Sequence, residues 1–224
     1  SKAYASFTSY FCKMSIKTHT YGEKNYNYYS AYLREKYHGK RVYKVIVDGG
    51  FTCPNRDGSK GYGGCTYCNT DSFTPASRNL DSIREQVLHG MENATQNYKA
   101  EKFIIYFQPN SNTYAPVDEL KLMYDEALKI NSENIVGLSV GTRPDCLDAE
   151  IIELLESYKN KGLEVDIELG IESIYNETLQ NLNRGCTHED FISAMKLLEN
   201  SSLDVCVHTI LGLPGETREM IVKY

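Results

Sequence analysis

The sequence predicts an α/β chain in which parallel strands alternate with helices. Three observations lead there. Five short stretches are apolar and rich in β-branched or aromatic residues, as buried parallel strands are. The segments between them carry apolar residues at helical spacing. The order strand then helix recurs five times at intervals of roughly 30–40 residues, the period of β/α units joined by right-handed crossovers. On this pattern alone a (β/α) barrel and an open doubly wound sheet both fit.

Residues 1–41 are polar and tyrosine-rich, with Tyr26, Tyr28, Tyr29 and Tyr32 close together. They read as a leader packed on the core, with a short helix over 30–38 ended by Gly39. Its tyrosines are either packed surface or a stacking platform for a base. The core, 42–224, opens with a strand over 44–48. The next interval is the longest, because a cysteine-bearing loop precedes a helix near 83–97. Further strands are expected over 102–107, 135–140, 164–169 and 204–211. Leu120, Met123, Tyr124 and Ala127 share a helical face behind Asp118 as N-cap. Ile151, Leu154, Leu155 and Tyr158 do so behind Asp148, and Phe191, Ala194, Met195 and Leu198 behind Thr187. No composition break marks a second domain within 42–224.

The 224 residues are 41% hydrophobic and 24% charged, enough for one sizeable core. A net charge of -6 and a pI near 5.4 speak against a strongly basic nucleic-acid surface, while leaving room for a local patch. No apolar run approaches the roughly 18 residues of a membrane span. The first residues show no signal-peptide pattern, so a reducing cytoplasm is the expected compartment.

Cysteine usage is more informative. Cys12, Cys53, Cys65, Cys68, Cys146, Cys186 and Cys206 make an odd set, so they cannot all pair within the chain. Three form C-x11-C-x2-C in a loop containing Gly58, Gly61, Gly63 and Gly64. Glycine allows such a loop to fold back and aim several thiolates at one centre. Three thiolates suit a [4Fe–4S] cluster, or a zinc ion with a fourth ligand from elsewhere. No second close cysteine pair exists, and His19, His38, His89, His188 and His208 form no pair at ligand spacing. Cys206 and His208 read as core residues; Cys146 and Cys186 lie in loops near strand ends, where a second redox role is conceivable. Glycines and polar residues recur after each strand, at 49–50, 108–112, 141–145, 170–173 and 212–216. In a β/α barrel those ends share one pocket.

The cysteine loop, with Tyr67 between its last two cysteines, resembles the cluster motif of the radical S-adenosylmethionine enzymes, though the usual first gap is three residues. The longer gap is similar to a subgroup related to the elongator catalytic subunit, and within it to a bacterial family of poorly defined function. Gln108–Tyr114, Thr142-Arg143-Pro144-Asp145, Glu168–Glu172 and Leu211–Glu216 match further blocks. The resemblance implies a partial TIM-type barrel, with five β/α units present of an expected six. It implies a [4Fe–4S] cluster on Cys53, Cys65 and Cys68, and S-adenosylmethionine cleaved to a 5′-deoxyadenosyl radical that takes hydrogen from a substrate. The resemblance also implies an electron donor such as flavodoxin, and transfer RNA as a substrate with a wobble uridine as its modified site. The alternative is a non-enzymatic zinc-binding module for nucleic acid.

The resemblance also implies pocket roles. Tyr67 would contact the adenine. Gln108 would face the methionyl amine, although this chain has Gln-Pro-Asn where the family has a glycine-glycine-acidic pattern. Arg143 would fork onto the methionyl carboxylate, or else pair with Asp145 or Glu172. Glu168 would take the ribose hydroxyls or the amine, or else pair with Arg143; Glu172 lies beside it. Leu213 would wall the adenine. With five strands and no residues for a sixth, the chain reads as a truncated piece whose fifth strand is an exposed sheet edge.

Overall fold

A computed structural model describes residues 28–69, 82–130 and 133–224. Two compact units divide the chain, 1–42 and 43–224. In the first, α1 (Tyr29–Lys36) stacks the rings of Tyr29 and Tyr32 at 6.0 Å and is followed by Gly39 at φ +87°. Tyr26 and Cys12 lie outside the described residues.

The second unit carries the alternation. Its elements are β1 (Val42–Val47, starting at the boundary), α2 (Ile83–Tyr98), β2 (Lys102–Phe107), α3 (Val117–Lys129), β3 (Ile135–Thr142), α4 (Ala149–Lys159), β4 (Glu164–Glu172), α5 (Asn176–Asn181), α6 (His188–Leu198), β5 (Asp204–Thr209) and α7 (Arg218–Ile221). A single 3-10 turn, Pro144–Cys146, follows β3. The five strands form one sheet in chain order, and β2–β3, β3–β4 and β4–β5 pair in parallel. Lys44 on β1 reaches Asp166 on β4 at 3.3 Å, so the sheet curls toward a barrel instead of lying open.

Strand pleating divides the chemistry between two faces. Val45, Val47, Phe103, Ile105, Phe107, Leu138, Val140, Val165, Ile167 and Leu169 are buried on one face. Helical residues such as Val87, Leu120, Tyr124, Leu155 and Phe191 are buried with them. Tyr124 is fully buried, meets Phe107 edge-on at 5.1 Å, and donates its hydroxyl to the Asn112 carbonyl at 2.6 Å. Each such side chain contributes about 1.5–3 kcal/mol of burial. Alternate residues, Lys44, Tyr106, Ser139, Asp166, Glu168 and His208, form a mutually bonded polar set that marks the inner face, the lumen.

Asp148 caps α4 by accepting from the Ile151 amide at 2.9 Å, and Thr187 with Asp190 forms a reciprocal cap on α6. The expected Asp118 cap is corrected: α3 begins two residues earlier, at Val117 behind Pro116, and Asp118 sits in the first turn, where its charge suits the helix dipole. β3 and β4 run past their expected ends to Thr142 and Glu172. β5 stops short, at Thr209, because the pairing shifts between Gly170 and Glu172 and the Ile210 amide turns to the Glu172 carbonyl at 2.9 Å. α5 is a second helix between β4 and β5 that the apolar spacing does not announce.

Among the described residues no strand pairs with the outer edge of β5, as expected. Cys206 is exposed, which corrects its reading as core. It shares the pleat of His208, opposite Glu168, and therefore faces the lumen and not the helices. No described helix is long and apolar enough to cross a membrane.

Candidate active site at the strand ends

The cysteine loop folds on local turns and then docks on the connection after α5. The Cys53 carbonyl accepts from the amides of Arg56 (2.7 Å) and Asp57 (3.1 Å), Asp57 bridges Tyr62, and the Gly64 amide returns to the Asn55 carbonyl at 2.9 Å. Gly64 has φ +76°, and a Cβ there would stand 2.8 Å from Arg56 Nε, so a side chain would be strained and would displace the Arg56 guanidinium. Docking uses the Thr66 amide on the Leu182 carbonyl (2.9 Å) and Asn183 Nδ2 on the Gly64 carbonyl (2.8 Å). Buried Asn55 ties both sides, donating to the Asn183 carbonyl and lying 3.6 Å from the Cys65 sulfur.

This places Cys53, Cys65 and Cys68 on the wall of one cavity of about 370 Å³ at the C-terminal ends of the strands. Tyr67, Gln108, Arg143, Glu168 and Glu172 line the same cavity. Leu213 is buried and is not among the lining residues. Two lining residues outside glycine adopt the left-handed region, Asn110 at φ +64° and Glu172 at φ +66°, a local strain that clusters at functional sites.

Each cysteine has a guanidinium neighbour. Arg143 Nη1 lies 3.9 Å from the Cys53 sulfur, Arg184 Nη1 lies 3.8 Å from the Cys65 sulfur, and Arg56 Nη2 donates to the Cys68 carbonyl at 2.9 Å. Arg184 and Arg143 are 6% and 2% exposed, so these charges act in a poorly solvated wall. Arg143 settles on one of its two expected partners: its Nε and Nη2 fork onto Asp145, both at 2.9 Å, and Nη1 donates to the Arg184 carbonyl at 2.8 Å. Arg184 Nη2 donates to the Gly170 carbonyl at 2.7 Å and lies 3.6 Å from Glu172. Its Nε is buried without a partner, and so is Gln108 Oε1.

Below this rim, Glu168 pairs with neither Arg143 nor another rim cation. Oε1 accepts from Lys44, and Oε2 from the Tyr106 hydroxyl and, at 2.9 Å, from His208. Ser139 accepts from Lys44 at 2.8 Å and donates to Asp166 at 2.6 Å. Burial raises the Glu168 carboxyl, but the bonds from His208, Lys44 and Tyr106 outweigh it and hold the group down to about 2. His208 is pushed up to about 10 by its hydrogen bonds to Cys206 and Glu168. Asp166 moves the other way, raised by burial, and its Oδ1 has no partner.

Arg184, Lys44, Tyr106 and Asn55 were not singled out by the sequence. A lysine at an inward position of an apolar strand, and a buried arginine between Asn183 and Gly185, are visible afterwards as polar residues in places that must be satisfied. Cys146 closes the 3-10 turn and its thiol is pushed up to about 12 by burial; Cys186 is buried before α6. Among the described residues no three His, Cys, Asp or Glu side chains converge on a single ion, so the zinc alternative finds no site there.

Comparison with known proteins shows what the chain is similar to. Protein YhcC of Escherichia coli K12 is 41% identical over 194 residues, covering 87% of this chain and 61% of that protein. Protein MJ0486 of Methanocaldococcus jannaschii is 40% identical over 199 residues, covering 86% and 59%. The chain thus spans about three-fifths of the length of these relatives. The tRNA uridine(34) acetyltransferase of Methanocaldococcus infernus is 41% identical over 103 residues, 44% of this chain and 18% of that protein. A solved structure of Elp3 from Methanocaldococcus infernus superposes with a TM-score of 0.55 at 25% identity, covering 80% of this chain and 40% of the other. The sequence pattern of the radical SAM superfamily matches residues 52–224, from the residue before Cys53 through the ends of β2, β3, β4 and β5, and the chain belongs to that superfamily.

Proposed function

We propose that this chain is the catalytic core of a radical S-adenosylmethionine enzyme, with Cys53, Cys65 and Cys68 holding a [4Fe–4S] cluster. The observation that carries the reading is that Cys53, Cys65 and Cys68 line one cavity of about 370 Å³ together with Arg184, whose Nε is a buried unpaired donor, and Gln108, whose Oε1 is a buried unpaired acceptor. When bound, the cluster supplies the electron that cleaves the sulfonium carbon–sulfur bond to methionine and a 5′-deoxyadenosyl radical.

The side chains supply the rest. Arg184 Nε can donate to an amino-acid carboxylate, and Gln108 Oε1 can accept from the adjoining ammonium; an amino-acid end satisfies both orphaned atoms. Arg143, forked onto Asp145, offers its remaining edge to the cysteine side of the rim. Tyr67, 38% exposed beside Cys68, can lie against a purine. Glu172 pairs with Arg184, and Leu213 is buried outside the cavity lining. Glu168, held by three donors, orders the lumen and reaches a ribose hydroxyl only by exchanging a partner.

Three further readings complete the proposal. A low-potential one-electron donor of the flavodoxin kind reduces the cluster, since cleaving a sulfonium calls for the low end of protein cluster potentials. The compartment is the cytoplasm, where the free thiols of the described residues would stay reduced. The substrate is transfer RNA modified at a uridine; support comes from relatives named tRNA uridine(34) acetyltransferase and Elongator complex protein 3, over 44% and 41% of this chain.

Anaerobic reconstitution followed by S-adenosylmethionine and dithionite tests the reaction class. 5′-Deoxyadenosine is the expected product, and a loaded cluster that yields none rejects the reading. Comparing modified nucleosides of cells with and without the gene tests the substrate: loss of a wobble-uridine modification is expected, and an unchanged profile removes transfer RNA.

A further inference from the structure

Asp145 is 3% exposed at its side chain and gathers two cations from two parts of the chain. Arg143, at the end of β3, forks onto both of its oxygens at 2.9 Å. Lys60, from the tip of the cysteine loop, donates to Oδ2 at 2.6 Å. The fork fixes the guanidinium plane and leaves Nη1 as the edge that meets the Cys53 sulfur at 3.9 Å and the Arg184 carbonyl at 2.8 Å. One carboxylate therefore closes the cysteine loop, through Lys60, and aims a cationic donor at the first cysteine, through Arg143.

We propose that Asp145 is a positioning residue for the cluster: it clamps the cysteine loop to β3 and sets how much positive charge the Cys53 sulfur feels. The assignment rests on the cluster reading above. Hydrogen bonds and charge near cluster sulfurs set reduction potentials. Arg143 favours the more negative, reduced cluster, and Asp145 opposes that attraction. Burial would raise the Asp145 carboxyl, but hydrogen bonding to Arg143 and Lys60 keeps it below the ordinary carboxylate range, so the opposing charge is present at neutral pH.

The test has two arms. In reconstituted protein, Arg143→Gln and Asp145→Asn are compared with the parent by redox titration. Arg143→Gln should make reduction at least tenfold less favourable, 59 mV lower for one electron, and Asp145→Asn, which keeps one acceptor oxygen to aim Arg143 while removing the opposing charge, should shift it in the opposite direction. A residue that merely supports the fold would move both variants the same way, or alter iron content without moving the potential; either result overturns the assignment. In the iron-free chain, Lys60→Gln, whose parent side chain is 43% exposed, should speed hydrogen exchange at the Arg56 and Gly64 amides at least tenfold and leave β3 and β4 unchanged. Unchanged exchange overturns the clamp. That arm decides the clamp even if a buried variant fails to fold. If the parent itself takes up no iron, the cluster reading fails while the exchange result still stands.

Discussion

The rim of the cavity and the lumen beneath it are built on the same strands, yet they treat charge in opposite ways. At the rim, guanidiniums lie beside cysteines, and Arg184 Nε and Gln108 Oε1 end without a partner. In the lumen, Lys44, Tyr106 and His208 converge on Glu168, and only Asp166 Oδ1 is left over. Buried polar atoms without partners are costly, so a rim that retains them is arranged for something that binds. A lumen whose carboxylate is already held is arranged for shape. The difference separates residues that should govern ligands from residues that should govern stability.

The largest expected effect is at the rim. Cys65→Ala should reduce iron per chain after reconstitution to background and abolish S-adenosylmethionine cleavage, while thermal unfolding of the iron-free chain stays within a few degrees of the parent. Iron retained at the parent's level would break the assignment of the rim. The corresponding lumen variant, Lys44→Met, should do the reverse. It leaves Asp166 without its cation and Glu168 with His208 alone, and should cost about 3 kcal/mol, the lower end for a broken buried pair because Lys44 is partly exposed. Urea unfolding of the iron-free chain measures it, and a loss below about 1 kcal/mol would place Lys44 among surface pairs.

Arg184→Lys sharpens the comparison. The charge remains but the fork does not, so affinity of the reconstituted protein for S-adenosylmethionine should fall about tenfold, one charge-assisted hydrogen bond. Equilibrium dialysis reads it, and equal affinity would move the carboxylate contact elsewhere. The smallest effect is a pH dependence in the lumen. His208 is raised from an ordinary 6.5 to about 10, so its stabilisation is complete below pH 6.5 and disappears as pH rises through 10. The melting temperature should decline between pH 7 and 10, and less steeply in His208→Gln. Equal declines would remove His208 from the lumen network.

The alternation of strands with helices and the Asp148 and Thr187 caps were legible because each rests on local spacing, whereas the choice of barrel over open sheet came from the family resemblance. The cap of α3 was misplaced because Asp118 is as favourable in a first turn as before it. The lumen was not legible. Lys44 finds Asp166 and Glu168 more than a hundred residues away, and no local pattern encodes a partner across a barrel. Arg184 was missed for the same reason: it comes forward from the connection after α5, a helix too short to leave a periodic trace. Cys206 was misassigned because a strand pattern gives two faces without saying which one is covered.

Electron paramagnetic resonance of the dithionite-reduced, reconstituted chain reads out the proposed cluster on the three rim cysteines and its contact with S-adenosylmethionine. A reduced [4Fe–4S] signal is expected, with a shape that changes when S-adenosylmethionine is added, and it should be absent in Cys65→Ala. A fully loaded cluster whose spectrum is identical with and without S-adenosylmethionine would contradict that contact.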